Sequence, residues 1–110
     1  MQQIEISKPQ RLAIHAALKP HAGLFDSVGV FGSRVTGKAQ PGSDIDLVVY
    51  GTRNSNSFDV LKSAIIESDL SIFADVTRYE DISHKALKNE VDTCVQILFD
   101  RQDFLPDHIN

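Results

Sequence analysis

Several features are scarce in this chain, and each scarcity excludes a class of protein. A single cysteine, Cys94, rules out an internal disulfide and a metal site built from cysteines. No apolar run approaches the roughly 20 residues that a membrane-spanning helix needs, so we expect no membrane association. Residues 1–5 have neither the positive charge nor the apolar block of a secretory signal. The sequence therefore predicts a cytoplasmic protein.

The chain is also short of positive charge. Eleven Lys and Arg against 15 Asp and Glu give a formal net charge of −4 at pH 7. Nucleic acid is generally captured by a basic surface, so general nucleic-acid binding is not expected. A hydrophobic content of 42% and a length of 110 residues are ordinary for one soluble domain. We therefore predict a single domain over residues 1–110.

The most informative stretch lies between residues 32 and 46. An apolar segment, residues 28–31, ends there at Gly32 and Ser33, where a turn into a helix is predicted. The first N–H groups and the dipole of such a helix favour a polyphosphate. Gly32 has no Cβ, so the backbone can approach a ligand closely, and the Ser33 hydroxyl adds a hydrogen-bond donor.

The same stretch closes with two aspartates at the head of a second apolar segment. Asp44 and Asp46 are two residues apart, so on a strand both side chains project from one face, while Ile45 and Leu47 project from the other. Neighbouring carboxylates repel each other unless a cation lies between them. Oxygen ligands of this kind suit Mg²⁺, which commonly bridges protein carboxylates and substrate phosphates.

This run resembles the signature of the polymerase-β-like nucleotidyltransferases, which reads Gly-Ser, ten residues, Asp-x-Asp. More narrowly it is similar to the minimal, MNT-type members, whose pattern is Gly-Ser-Arg-Ala-Arg-Gly and then Pro-Gly-Ser-Asp-Ile-Asp-Leu. The chain departs from it at Val35 and Thr36, and the missing arginine removes one possible phosphate contact. The matching positions are Gly32, Ser33, Arg34, Gly37, Pro41, Gly42, Ser43, Asp44, Ile45, Asp46 and Leu47.

The resemblance implies an α/β (α+β) fold, with a small mixed β-sheet flanked by helices as in the polymerase-β-like palm core. It also implies a third carboxylate on a downstream strand, and Asp75 matches that position. Asp75 would ligate a second metal ion or take the proton of the acceptor hydroxyl. The implied catalytic and metal residues are Asp44, Asp46 and Asp75, and the implied nucleotide-binding residues are Gly32, Ser33, Arg34 and Ser43. The implied cofactor is Mg²⁺, with two ions during turnover, and the substrate is ATP or another nucleoside triphosphate.

Three functions fit this resemblance. The first is Mg²⁺-dependent transfer of a nucleotide, AMP from ATP, to an acceptor hydroxyl. The second is a non-catalytic antitoxin that binds and neutralises a HEPN-type protein, as in HEPN–MNT toxin–antitoxin pairs. The third is a nucleotide sensor without turnover. The predicted core occupies nearly the whole chain, so a HEPN-type helical partner or a second copy should complete the acceptor site.

Hydrophobic periodicity and cap signals predict the remaining elements. The predicted helices cover about residues 7–20, 56–69 and 81–92, and the predicted strands cover residues 26–31, 45–49 and 71–78. Residues 95–99 fit either a short final strand or an irregular packing segment. Residues 100–110 form a polar tail, which we expect only a partner to order.

Individual side chains carry further expectations. Ser7 and Gln10 form a capping-box pattern. His15 is expected to pack or lie on the surface, because no partner spacing supports a metal. Ala86 is expected to face inward from its helix. Arg78 is expected to be exposed rather than to reach a nucleotide.

Overall fold

The computed structural model describes residues 4–37, 42 and 44–104. Within these residues the chain forms a four-stranded sheet and helices on both of its faces. The α-helices are α1 (Lys8–Leu18), α2 (Ser33–Thr36), α3 (Ser55–Ile66) and α4 (Lys85–Cys94), and the strands are β1 (Ser27–Phe31), β2 (Ile45–Tyr50), β3 (Ala74–Arg78) and β4 (Gln96–Asp100). Three 3₁₀ helices cover Lys19–Leu24, Tyr79–Asp81 and Arg101–Phe104. The predicted fold class is confirmed.

The sheet is mixed, with the strand order β3-β2-β1-β4. Strand β1 pairs antiparallel with β2 and with β4, whereas β2 and β3 are parallel. Parallel neighbours need a crossover connection, and α3 lies in that connection. Strand β2 therefore has a paired neighbour on each side, with Asp46 opposite Phe31 on β1 and opposite Asp75 on β3.

The main core lies between the sheet and the layer formed by α1 and α3. Alternate apolar residues of the strands project into it and meet the buried faces of the two helices. Its fully buried members include Ile14, Leu18, Phe25, Val28, Val30, Ile45, Leu47, Leu61 and Ile65. A smaller apolar cluster on the opposite face joins Phe31 and Val48 to Val91 of α4. Strand β2 is thus covered on both faces at Leu47 and Val48.

The helix starts follow local capping chemistry. The Ser7 hydroxyl accepts a hydrogen bond from the Gln10 N–H at 3.2 Å, and the Gln10 side chain accepts one from the Ser7 N–H at 3.0 Å. This confirms the predicted capping box. Helix α3 begins two residues earlier than expected, because Asn54 rather than Asn56 accepts from the Ser57 N–H at 2.8 Å.

Helix α4 begins later than expected. Residues 79–81 form a 3₁₀ turn instead, and α4 starts after His84, whose ring Nδ1 accepts from the Leu87 N–H at 3.3 Å. The inward placement of Ala86 is wrong: Ala86 is exposed, and Val91 is the buried residue of α4. None of the helices in the described part of the chain is long and apolar enough to cross a membrane.

Two expectations about the last quarter of the chain are decided by the structure. Residues 96–100 do form a strand. Residues 101–104, however, are ordered without a partner, because Phe104 is buried against Phe25 and Phe99, with ring centroids at 5.5 and 5.6 Å. The His15 ring stacks on Phe104 at 4.6 Å, which confirms its packing role. The remaining tail, residues 105–110, lies outside the described residues.

Replacing Phe104 with Ala should destabilise the protein by roughly 3–5 kcal/mol, because the change opens a cavity between α1 and the sheet. The measurement is urea unfolding followed by circular dichroism. The matched control is Phe73→Ala, since Phe73 is 62% exposed and its loss should change stability by no more than about 0.5 kcal/mol. Equal effects of the two substitutions would contradict the packing described for Phe104.

Candidate functional site

The turn between β1 and α2 can hold only a glycine at its first position. Gly32 has φ +73° and ψ −147°, a backbone conformation that residues other than glycine rarely adopt. Its carbonyl accepts hydrogen bonds from the N–H groups of Val35 and Thr36 at 3.0 and 3.1 Å. A Cβ on Gly32 would lie 2.5 Å from Oδ2 of Asp46. The Asp46 carboxylate therefore occupies the space that a side chain at position 32 would fill.

The predicted carboxylates lie on one face of the sheet. Asp46 of β2 and Asp75 of β3 are direct partners in the parallel register, and neighbouring strands are about 4.8 Å apart. Ile45 and Ala74, which alternate with them, are buried in the main core. Asp44 directly precedes β2, two residues from Asp46, and is exposed. Asp75 is thus on the same side of the sheet as the other two aspartates.

The surroundings of Asp46 disfavour its negative charge. Burial is the largest cause that raises the pKa of this carboxyl, followed by the charges of Asp75, Asp44 and Glu90. Asp46 is half-buried, between exposed Asp75 and the turn at Gly32. Hence the protein holds the Asp46 carboxylate where its negative charge is destabilised, and an approaching positive charge would offset this.

The donor chemistry fits a hard divalent cation, but these side chains do not make a complete cage. Among residues 4–37, 42 and 44–104, no group of three or more His, Cys, Asp or Glu is arranged to hold a metal ion. Asp46 and Asp75 remain as a neighbouring pair of oxygen donors. Mg²⁺ is commonly held by one or two carboxylates, with water and substrate phosphates as the other ligands. The pair therefore fits a metal that arrives with a phosphate substrate.

Arg34 is held by the N-terminal segment. Its side chain is nine-tenths buried, and its Nη1 donates a hydrogen bond to the Glu5 carbonyl at 3.0 Å. The Glu5 N–H in turn donates to the Arg34 carbonyl at 2.7 Å. These two bonds attach residues 4–6 to α2. Ser33 begins α2 and is half-buried, whereas Ser43 lies outside the described residues.

A profile of the family described as polymerase beta nucleotidyltransferase matches residues 18–104. This range contains the Gly32 turn and all three aspartates. The chain belongs to the polymerase β nucleotidyltransferase family. Among curated proteins, none matches its sequence significantly.

Solved structures share the fold of this family member. The crystal structure of a toxin–antitoxin with AMP-PNP is 23% identical, has a TM-score of 0.64, and covers 86% of this chain and 77% of its own. A second crystal structure, of the toxin–antitoxin MntA–HepT, is 20% identical with a TM-score of 0.60 and coverages of 89% and 77%. A third, from Shewanella oneidensis, is 20% identical with a TM-score of 0.61 and coverages of 90% and 76%.

The structure also places residues near this family member's carboxylates that sequence reasoning did not select. Glu90 of α4 contributes to the raised pKa of Asp46, and nothing in the sequence connects α4 to this face. Phe73 precedes β3 and is 62% exposed. Residues two apart on a strand share a face, so the spacing between Phe73 and Asp75 indicates that both side chains lie on the same face of the sheet.

At the opposite end of the sheet, Arg78 is not the exposed residue that was expected. Its side chain is 13% exposed and donates hydrogen bonds to the Thr52 hydroxyl at 2.6 Å and to Asp81 at 2.8 Å. These contacts attach the chain after β2 to the 3₁₀ turn that follows β3. Arg78 therefore has a structural role at the end of β3, three residues after Asp75.

Replacing Asp46 with Asn should raise the melting temperature at pH 7 in the absence of divalent metal. The pKa of Asp46 is raised in the folded protein, so the folded state binds its proton more tightly than the unfolded state. Stability is therefore lost as the pH rises from the ordinary carboxyl value towards the folded-state value. The substitution removes this loss.

Differential scanning fluorimetry between pH 3 and 8 measures this effect. The gain from Asp46→Asn should disappear below about pH 4, where the carboxyl is protonated in both states. Asp59→Asn on α3, on the other side of the sheet, is the control and should show no such gain. A melting temperature that falls at pH 7 on replacing Asp46 would contradict the described electrostatics.

Proposed function

We propose that this protein is a Mg²⁺-dependent nucleotidyltransferase that transfers AMP from ATP to a hydroxyl group of a partner protein. The observation that carries the proposal is the register of Asp46 with Asp75, next to a glycine turn, in a chain of the polymerase β nucleotidyltransferase family. Raised pKa values and like-charged neighbours are typical of functional sites. Two neighbouring carboxylates beside a glycine turn are stabilised when a cation and a phosphate group bind to them.

The residues of the site have different proposed roles in binding the phosphates and the metal. Gly32 and Ser33 receive the terminal phosphates at the start of α2, with Ser43 as a further contact predicted from the sequence. Arg34 supports this turn from behind through its bonds to Glu5. Asp46 and Asp75 would hold Mg²⁺ together with the phosphate oxygens, and Asp44 is a further ligand predicted from the sequence. The bound metal would neutralise the charge that develops on the phosphate oxygens.

The transfer itself is an in-line substitution at the α-phosphorus. A bond forms between the acceptor oxygen and the α-phosphorus, and the bond from this phosphorus to the oxygen bridging to the β-phosphate breaks. Pyrophosphate leaves with the electron pair of that bond. The hydroxyl proton passes to Asp75, or to water if Asp75 is used as a metal ligand. Positioning and charge neutralisation are the main contributions of the protein.

A protein partner is favoured by the size and the charge of the chain. The sheet and its helices account for most of the 110 residues, so little of the described structure is left to form an acceptor platform. A net charge of −4 disfavours a nucleic-acid acceptor. The similar folds named above come from toxin–antitoxin complexes, and one of these contains AMP-PNP. We therefore propose an antitoxin role, with a HEPN-type helical toxin as partner; a second copy of the chain is the alternative. The cytoplasmic location stays a prediction.

One observation favours a second function, in which the protein neutralises a partner by binding alone. The described carboxylates do not form a group of three that could hold a metal. A family member that had lost turnover would keep the fold and the partner surface without needing that group. The two functions give different results when the site is disabled.

Replacing Asp46 with Asn should lower nucleotide transfer at least about 100-fold, because one oxygen donor and its charge are lost at the reacting phosphate. The measurement is release of labelled pyrophosphate from ATP and Mg²⁺ in the presence of the partner. Asp59→Asn is the charge-matched control and should stay within about twofold of wild type. Activity of the Asp46 variant within a few-fold of wild type would reject the proposed site.

Co-expression with the product of the adjacent reading frame separates catalysis from binding. If that product is a helical protein with an Arg-x-x-x-x-His motif, we expect its mass to increase in units of AMP. The increase should be absent with Asp44→Asn, and toxicity should return. Neutralisation that survives Asp44→Asn, with no added mass in the wild type, would favour plain binding.

A further inference from the structure

Two arginines lie at the end of the sheet opposite the carboxylates. Ser27, the first residue of β1, pairs with Tyr50 at the end of β2 and with Asp100 at the end of β4. The segments that follow β2 and β4 therefore leave the sheet at the same end. Gly32 follows the other end of β1, a strand of five residues, so about 13 Å of strand separates the two ends.

A cavity of about 230 Å³ lies where these segments meet the turn that precedes β1. Its lining combines two arginines with small and apolar residues. The lining residues are Ala22, Gly23, Arg53, Arg101 and Phe104. A Cβ on Gly23 would meet no atom within 4 Å, so the backbone at this position is directly accessible from the cavity.

The two guanidinium groups bring positive charge to one cavity from different parts of the chain. Arg53 follows β2, and Arg101 follows β4. Asp26 forms an ion pair with Arg101 at 2.6 Å, but both side chains are 62% exposed, so water weakens this pair. Within the part of the chain that the structure describes, Arg53 takes part in no ion pair. Like charges that line one cavity repel each other unless an anion lies between them.

Two more aspartates lie close to Arg101 in the sequence, but they bond to the backbone of the turn. The Asp103 carboxylate accepts a hydrogen bond from the Asp100 N–H at 2.8 Å, and the Asp100 carboxylate accepts one from the Gln102 N–H at 2.9 Å. Neither aspartate lines the cavity. Arg53 is thus left without a carboxylate partner among the described residues.

We propose that this cavity binds the phosphate group of a small organic molecule. A guanidinium group donates two parallel N–H bonds to an oxyanion. A phosphate monoester has three terminal oxygens and can accept from both arginines, whereas a carboxylate has only two. Ala22 and Phe104 offer an apolar wall to the organic part.

The size of the cavity limits the ligand. Pockets for drug-sized molecules measure roughly 300–1,000 Å³, and this cavity is smaller. It therefore accommodates a phosphate group with a few carbon atoms rather than a whole nucleoside triphosphate. The proposed site is separate from the carboxylates and does not depend on the proposed nucleotide transfer.

The test is an NMR titration of the full chain with phenyl phosphate, without divalent metal. We expect saturable shifts of the Gly23 amide and of the Nε–H groups of Arg53 and Arg101. Arg53→Gln and Arg101→Gln should each weaken binding about tenfold or more, because charge-assisted hydrogen bonds are lost. Benzoate, which carries a carboxylate on the same ring, should bind at least about tenfold more weakly.

Lys62→Gln is the charge-matched control, because Lys62 of α3 is exposed and does not line the cavity. It should leave the affinity for phenyl phosphate within about twofold of wild type, since distant exposed charges are screened. A loss equal to that of the arginine variants would overturn the site as general attraction of anions. Thermal unfolding checks that each variant is folded.

Other outcomes also overturn the proposal. Without a saturable shift at Gly23, or with shifts confined to Gly32 and Ser33, there is no phosphate site in this cavity. Benzoate that binds as tightly as phenyl phosphate would reject the preference for phosphate. A phosphotyrosine peptide that binds about tenfold more tightly than phenyl phosphate would replace the small molecule with a protein ligand. None of these results changes the expected loss of nucleotide transfer in Asp46→Asn, so the two proposals fail separately.

Discussion

The repulsion between Asp46 and Asp75 is the constraint on which the arrangement of the site depends. The parallel pairing of β2 with β3 places the two residues side by side, and burial of Asp46 makes its charge less stable still. A fold does not stabilise itself by placing like charges together. The surrounding sheet must therefore hold both strands firmly enough to resist their separation.

The sheet meets this requirement through its two unequal faces. The face that receives α1 and α3 carries buried apolar residues, Ile45 and Leu47 on β2 and Ala74 and Val76 on β3, which alternate with the aspartates. On the other face, α4 packs over a smaller apolar cluster that contains Phe31 and Val48. Near the carboxylates this face is less covered, since Asp75 is exposed and Asp46 is half-buried. The apolar face supplies the stability, and the open face is available for chemistry.

The glycine turn is connected to the same constraint. Gly32 was selected from the sequence as a point where a phosphate could approach the backbone. In the structure, its missing side chain makes room for the Asp46 carboxylate, so the residue serves the carboxylate whether or not a phosphate is bound. Arg34 supports this turn indirectly, because its hydrogen bonds with Glu5 hold α2 against the N-terminal segment. The turn, the short helix and the carboxylate thus form one unit.

The sequence by itself predicted the features that depend on neighbouring residues. The cap at Ser7, the turn at Gly32 and the shared face of Asp44 and Asp46 depend on residues within a few positions of one another, so spacing alone determined them. The fold class followed from the resemblance of that same stretch to a known signature. The start of α3 was predicted two residues too late, at residue 56, because Asn54 and Asn56 are both suitable cap residues and only the structure shows that Asn54 accepts from the Ser57 N–H.

Tertiary structure alone decided which side chains meet across the chain. Asp75 became the neighbour of Asp46 through the β2–β3 register, and Phe104 became a core residue by packing on His15 and Phe25. The effect of Glu90 on the pKa of Asp46 likewise depends on the tertiary structure. Such contacts join residues that are far apart in the sequence. They are set by the burial of the whole sheet, which no local pattern encodes.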